Sequence, residues 1–245
     1  MFTKVLQRGM TGDDVQLLQI KLSGFRGTVP DGQYGPGTEL QVIQFQKDFM
    51  GSPQPSGVVD MATSEAIDAF AKKYPIDFEQ LRCRCGKCPG FGNSLFKGQY
   101  QVGMPQIEAY CRYEYPGIHK MTLWAARAVF HYHSQFKFLF TSGYRCEQDN
   151  IQNGRTSTNH RGKAVDTDVP LGPGEGKQTD MTRCDQIRGK MVEVGYFQIG
   201  WDASNRKSLE PSNIAPTWVH MDCRQYDKAY LADKFFVKTL KDLDA

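Results

Sequence analysis

The stretch "NHRGKAVDTDV", residues 159–169, sets a histidine, a glycine and two aspartates at the edge of what reads as a buried strand. Alternate residues of a strand share a face, so Asp166 and Asp168 point the same way. His160 sits just ahead of them. Such a group suits a metal ion, but it needs a distant partner. "TWVHMDC" (217–223) offers one: a second strand with Trp218, His220 and Asp222 on one face. Two neutral imidazoles and one carboxylate, with a fourth position left for water, are the usual make-up of a catalytic zinc site. A histidine near an aspartate is more often structural, so spacing alone leaves both readings open.

The other three histidines are weaker candidates. His119 stands alone in a proline-flanked loop, where a surface role is expected. His131 and His133, in "FHYHS", fall within the helix read over "TLWAARAVFHYHSQF" (122–136). Residues two apart on a helix point roughly 200° apart. They cannot chelate one ion.

Bulk properties narrow the classes. A chain of 245 residues can bury one large core or two smaller ones. A formal net charge of +3 is too small to indicate nucleic acid and mildly favours an anionic polymer such as a bacterial wall. No apolar run is long enough to span a bilayer, so no membrane partner is expected. The start, "MFTKVLQRGMTGDD", lacks the apolar core of a signal peptide, so a chain made and folded in a cytoplasm is expected, and a monomer is expected as well. The seven cysteines cannot all pair within one chain; thiols or thiolate ligands are expected rather than disulfides.

The first seventy residues repeat. "DGQYGPGTELQVIQF" (31–45) and "SGVVDMATSEAIDAF" (56–70) align Gly32 with Gly57, Thr38 with Thr63, Val42 with Ile67, and Phe45 with Phe70. Each copy runs from a glycine turn to a threonine placed to cap a helix, and Thr38 with Gln41 has capping-box spacing. "TGDDVQLLQIKL" announces an earlier helix with Val15, Leu18 and Leu22 on one face. Three short helices leave little room for a catalytic cleft, so this half reads as a binder. Through "GMTGDDVQLLQIKL", "DGQYGPGT" and "VIQFQKDF", roughly residues 3–72 resemble the peptidoglycan-binding module found beside many wall-degrading enzymes. The resemblance implies peptidoglycan as partner, with Asp31 and Tyr34 touching it. In the second copy Ser56 stands where that family usually has aspartate. The plainer alternative is a helical packing domain with no ligand.

Near "KKYPIDFEQLRCRCGKCPGFGNS" (72–94) the helical pattern gives way to Pro, Gly and Cys. The expected organisation is a three-helix wall-binding domain over 1–72, a linker with a Cys-rich turn over 73–90, and an α+β domain over 91–245. Within the last, "KFLFTSGYR" (137–145) reads as a buried strand, "KAVDTDV" (163–169) as another, and "AYLADKFFVKTLKDL" (229–243) as a terminal helix.

"TSGYRCEQDN", "STNHRGKAVDTDV" and "WVHMD" occur in the order of the zinc peptidases related to D-alanyl-D-alanine carboxypeptidases. That group includes phage endolysins and shares its fold with the hedgehog signalling domain; the resemblance covers roughly residues 80–226. It implies zinc held by His160, Asp166 and His220. His160 to Asp166 is six positions where the family usually has seven. Anchoring on "GKAVD" selects Asp166, whereas counting from His160 selects Thr167, which is no plausible zinc ligand here. Asp168 is the alternative ligand or a nearby supporting group. Many relatives carry a base two or three residues before the last histidine, where this chain has Trp218 and Thr217. Asp222 is left either to deprotonate a water or to orient His220. Arg145 is expected to hold substrate oxygens, or else to tie down a turn, and Ser157 or Thr158 to donate to substrate.

Cys83, Cys85 and Cys88, in "CRCGKCPG", read as reduced thiols packed in a turn. Three thiolates with a distant fourth ligand could instead bind structural zinc. Relatives often carry a similar turn ahead of the catalytic core.

Together the two resemblances imply a two-domain peptidoglycan hydrolase. A phage endolysin stored in the host cytoplasm until lysis fits the expected lack of an export signal. The cleaved bond is left open between L-Ala–D-Glu and a D,D cross-link. The rival is a wall-anchoring or virion structural protein whose peptidase fold has lost activity.

Overall fold

A computed structural model describes residues 2–92, 113–155, 157, 159–170, 172, 174, 177–195, 209–223 and 226–245. Cys111 and Thr158 lie outside the described residues.

The N-terminal half holds three helices: α1 (Asp13–Lys21), α2 (Pro36–Asp48) and α3 (Met61–Lys73). Asp13 and Asp14 open α1 and Lys21 closes it, complementing the helix dipole. Val15, Leu18 and Leu22 are buried together as their spacing implies. The threonines, however, are not caps. Gly35 caps α2 ahead of Pro36, and Asp60 caps α3 by accepting from the Thr63 N–H. Thr38 and Thr63 therefore lie one turn inside their helices, and Thr38–Gln41 is not a capping box.

The threonines instead belong to a repeated glutamine clasp. Gln19 Nε2 donates to Thr38 Oγ1, Gln33 O and Asp31 Oδ1, while its Oε1 accepts from the Gly32 N–H. Gln46 makes the same set with Thr63, Val58, Ser56 and Gly57. Gly32 and Gly57 sit at φ 74° and 68°, where a side chain would be strained. The clasp explains the sequence repeat: one buried amide satisfies the polar groups of a tight turn. Ser56 fills the place of Asp31 in it without loss of the hydrogen bond.

In the second half a short α4 (Phe78–Leu81) leads past the Cys-rich turn, and β1 (Ile118–His119) leads into α5 (Lys120–Tyr132). Met121 through Val129 are all buried, so α5 is a central helix rather than a one-faced one. β2 (Leu139–Ser142), α6 (Glu147–Gln152), β3 (Ala164–Asp168), α7 (Lys177–Glu193) and β4 (Val219–Asp222) follow. The strands form an antiparallel sheet of order β2-β3-β4, with Asp166 opposite both Ser142 and His220. β2 is shorter and more exposed than the buried strand expected there, because it lies at the sheet edge.

The expected terminal helix over 229–243 is replaced by two 3-10 turns (Lys228–Leu231 and Asp233–Phe235), a strand β5 (Phe236–Val237) and a short α8 (Leu240–Asp244). β5 pairs with β1, placing His119 opposite Phe236. That wrap buries His119 completely, contrary to the surface role expected of it. Its side chain accepts from the Met121 N–H at the start of α5, and Nε2 lies 2.8 Å from Tyr230 O.

The two halves share one continuous core. Phe25 and Phe70 pack edge-on, and their neighbours include Trp124 and His131 from α5. His131 meets Tyr74 and the Asp48 carbonyl at this seam, and His133 ends α5 stacked on Phe136. Neither belongs to a metal-ligating group among the described residues.

Candidate metal centre

The register of β3 and β4 sets Asp166 beside His220, and the turn before β3 carries His160, held by Gly143 O and the Arg145 N–H from the turn after β2. Asp166 Oδ1 lies 2.7 Å from His220 Nδ1, and Asp166 Oδ2 lies 3.3 Å from His160 Nε2. One ligand atom from each of the three residues lies within 4.8 Å of the other two, and all three residues are buried.

Each imidazole is oriented through its other nitrogen. His160 Nδ1 lies 2.9 Å from the Gly143 carbonyl, so it donates there and leaves the Nε2 lone pair toward Asp166. His220 Nε2 lies 2.8 Å from Asp222 Oδ2, which leaves Nδ1 on the Asp166 side. A ligand histidine whose second nitrogen is bound to a carbonyl or carboxylate is the arrangement that metal sites use to fix ring and tautomer. Two nitrogens and one carboxylate oxygen also match the donor set of a zinc site that keeps a position for water. The residues present fit such an ion.

Burial opposes charge on both partners, and the pairing overrides it. Interactions with the His160 and His220 rings hold the Asp166 carboxyl well below the usual carboxylate range. His220 is wholly buried, yet hydrogen bonds from Asp166 and Asp222 raise its pKa to about 10. Without an ion the group is a carboxylate cluster neutralised by a protonated imidazole.

Asp222 sits at the Nε2 edge of His220 and is fully buried. Its wholly buried carboxylate is committed to that nitrogen, so its position is that of a group orienting His220. Glu210, absent from the sequence-based set, brings a carboxylate oxygen 3.9 Å from His220 Nε2. Its charge is also felt at Arg145. Nothing in its surroundings along the chain marks it, since it lies ten residues before His220 and reaches the site through an isolated bridge between Leu209 and Met221.

Arg145 joins the centre to open space. Its Nη2 donates to Asp166 Oδ2 at 2.9 Å and its Nε to Ser142 Oγ at 2.6 Å. A cavity of about 550 Å³ opens here, lined by Arg82, Arg84, Arg145, Arg155, Asp166 and Trp218 among others. Arg155 is paired with Asp149 at 2.7 Å and Arg145 with Asp166 at 2.9 Å, and Asp168 also lines the wall, so the lining carries four arginines and three aspartates.

Asp168 lines the same cavity, but its carboxylate groups with Asp180 and Cys184 and not with the histidines, and burial together with Asp168 raises the Asp180 carboxyl to about 7. Ser157 is exposed and is not among the residues lining the cavity; its carbonyl accepts from Asn150 Nδ2 at 2.8 Å. Tyr34 is buried and its hydroxyl donates to Gly57 O, so it is a core residue and does not face a ligand. Asp31 is exposed, with one oxygen shared between Gln19 and the Gln33 N–H.

Comparison with known proteins bears on the first half. Residues 11–67 match a family described as putative peptidoglycan binding domain. That match runs from the start of α1 into α3. The chain is also similar to the spore cortex-lytic enzyme of Bacillus subtilis (strain 168), with 40% identity over 73 residues. The similarity covers 29% of this chain and 24% of that enzyme, so the chain spans about a quarter of the length of the relative it matches.

Proposed function

We propose that the chain is a peptidoglycan hydrolase: α1–α3 bind the wall, and the His160–Asp166–His220 centre, holding zinc, cleaves a peptide bond of the stem or cross-link. One observation carries the reading: both histidines turn one nitrogen to the same carboxylate, Asp166, while their other nitrogens are fixed by Gly143 O and Asp222. His119 and His131 are also held at both nitrogens, but by backbone and hydroxyl groups and not around a shared carboxylate. The peptidoglycan-binding match over 11–67 supports the substrate, and a relative named as a cortex-lytic enzyme supports hydrolysis of wall material.

Zinc in such a site acidifies a water to a pKa of about 7 and polarises a carbonyl. The residues of the chain do the rest. Asp222 holds the His220 ring in the ligating orientation. Arg145 is placed to grip a substrate carboxylate or the scissile carbonyl oxygen with the part of its fork not spent on Asp166 and Ser142. The other cavity arginines hold the acidic stem. Glu210, the less buried of the two carboxylates beside His220 Nε2 and within electrostatic reach of Arg145, would serve as the proton acceptor and donor.

The test is lysis of purified walls, followed by mass spectrometry of the released muropeptides. New amino termini are expected from the intact chain and none from Asp166→Asn. A chain that binds walls and releases nothing at any metal load would be a wall-anchoring protein instead.

A further inference from the structure

The Cys-rich turn begins between Arg82 and Arg84, which line the cavity, and the fold supplies what the turn lacks. Cys146, at the start of α6, brings its sulfur to within 3.6 Å of Cys83 Sγ and 3.5 Å of Cys85 Sγ. With Cys88, these four sulfurs all lie within 4.8 Å of one another. We propose that Cys83, Cys85, Cys88 and Cys146 bind a second, structural metal ion of the zinc class in a tetrahedral four-thiolate site.

Geometry favours an ion over packed thiols. Zn–S bonds of about 2.3 Å arranged tetrahedrally set neighbouring sulfurs about 3.8 Å apart. The observed spacings of 3.5 and 3.6 Å are close to that edge and far from the ~2.0 Å of a disulfide. A disulfide would also use only two of the four.

The backbone around the sulfurs is arranged for negative charge. The Lys87 N–H donates to Cys85 Sγ at 3.3 Å, and the Gly90 N–H donates to Cys88 Sγ at 3.3 Å. The same two-residue step is thus made twice. A third donor, the Cys146 N–H, reaches Cys83 Sγ at 3.4 Å. The steps require a tightly curled chain, with Gly86 at φ 68° and Gly90 at φ 102°, and the Cys83 N–H closes the loop on Gly90 O at 2.7 Å. Amide donors converging on sulfur stabilise thiolates, which are the form that binds metal. Four neutral thiols would not need them.

Such an ion would clamp the cavity wall. Arg82 and Arg84 flank Cys83, Arg145 precedes Cys146, and all three arginines line the cavity. One ion would therefore tie two segments more than sixty residues apart in sequence at the point where they carry the cationic wall. This inference does not rest on the histidine centre.

The experiment uses the full-length His220→Ala chain, purified without chelator and also loaded with Co²⁺. Expected are about one zinc per chain and, with cobalt, intense sulfur-to-cobalt charge transfer in the near ultraviolet with tetrahedral visible bands. Adding Cys88→Ser should remove the zinc and the charge-transfer band. Circular dichroism of the metal-loaded parent needs no cysteine variant and reports that the fold is intact. A cobalt-loaded chain with no sulfur charge transfer, or an intact mass showing a disulfide among these four cysteines, would overturn the proposal. Failure of wall lysis by the unsubstituted, zinc-loaded chain, with the sulfur bands present in His220→Ala, would count against the histidine centre and leave this site standing.

Discussion

His220 stands between two carboxylates: its Nδ1 is 2.7 Å from Asp166 Oδ1 and its Nε2 is 2.8 Å from Asp222 Oδ2. In the metal-free chain this sandwich holds a proton on the ring up to about pH 10. A zinc ion at Nδ1 must displace that proton. Binding therefore releases a proton, and affinity falls as pH falls. The metal-free protein shows the opposite trend in stability. A histidine whose folded pKa is raised contributes fully below its unfolded value of about 6.5, and the contribution is lost as pH climbs toward 10. Thermal scans with chelator should show Tm declining over that window, and scans with zinc should show the decline abolished. A metal-free Tm that rises steadily from pH 7 to 10 would contradict the sandwich.

Asp222 and Glu210 can be separated by what each removal leaves behind. Asp222→Asn keeps a hydrogen bond to His220 but loses the charge behind it. Changes of this kind typically weaken metal affinity or activity by roughly 10–100-fold. Glu210→Gln should leave zinc content unchanged and lower kcat by roughly 10²–10⁴, the usual range for a lost general base. The acidic limb of the pH–rate profile should go with it. Zinc loss in Glu210→Gln would make that residue a support for the ion, and the base would have to be sought elsewhere.

The centre was half legible in the sequence, for a geometric reason. A strand period of two puts Asp166 and Asp168 on one face and His220 with Asp222 on another, and those faces did meet at the Asp166–His220 register pair. What alternation could not tell was direction beyond the face. Asp168 is far enough along β3 to pair opposite Leu139 and meet Asp180, while Asp166 pairs opposite His220. The support of His160 by the Gly143 carbonyl is a backbone contact, which leaves no trace in residue types. His119 was misread because its burial is produced by Phe235, Phe236 and Tyr230, more than a hundred residues later. The same residues carry apolar spacing that mimics a helix, and their pairing with β1 decides otherwise. Thr38 and Thr63 mark the repeat correctly, but they mark the clasp and not the cap.

His119 should make the protein sensitive to mild acid. Burial lowers its pKa to about 4, whereas the unfolded chain takes up a proton near 6.5. Between those values the unfolded state gains a proton that the native state refuses, so stability drops as pH falls through the window. The shift corresponds to at most about 3 kcal/mol. His119→Asn keeps a good helix cap but loses the bond to Tyr230 O, costing about 1 kcal/mol at pH 8. Its stability should then change less than that of the parent between pH 6.5 and 4. Urea titrations at several pH values measure this, and parallel profiles for the two proteins would rule His119 out.

The seam between the halves is close enough to make them one folding unit. Gly24 packs against α5 so tightly that a Cβ there would lie 2.2 Å from the Ala128 Cβ and 3.2 Å from the Ala125 Cα. Beside it Ser23 Oγ donates to Met121 O at 2.8 Å, and Arg127 Nε reaches back to Tyr74 O at 3.0 Å. Neither partner can yield: Ala128 has no side chain to rotate, and α5 is buried along its length. Gly24→Ala should therefore destabilise the whole chain by about 1–3 kcal/mol, as overpacking does. The loss should appear equally in near-ultraviolet dichroism, which reports Trp124 in the second half, and in wall binding, which reports the first. Unfolding curves followed by the two signals should coincide in both proteins. Two separated transitions, with only one moved by Gly24→Ala, would show that the wall-binding helices fold independently of the metal centre.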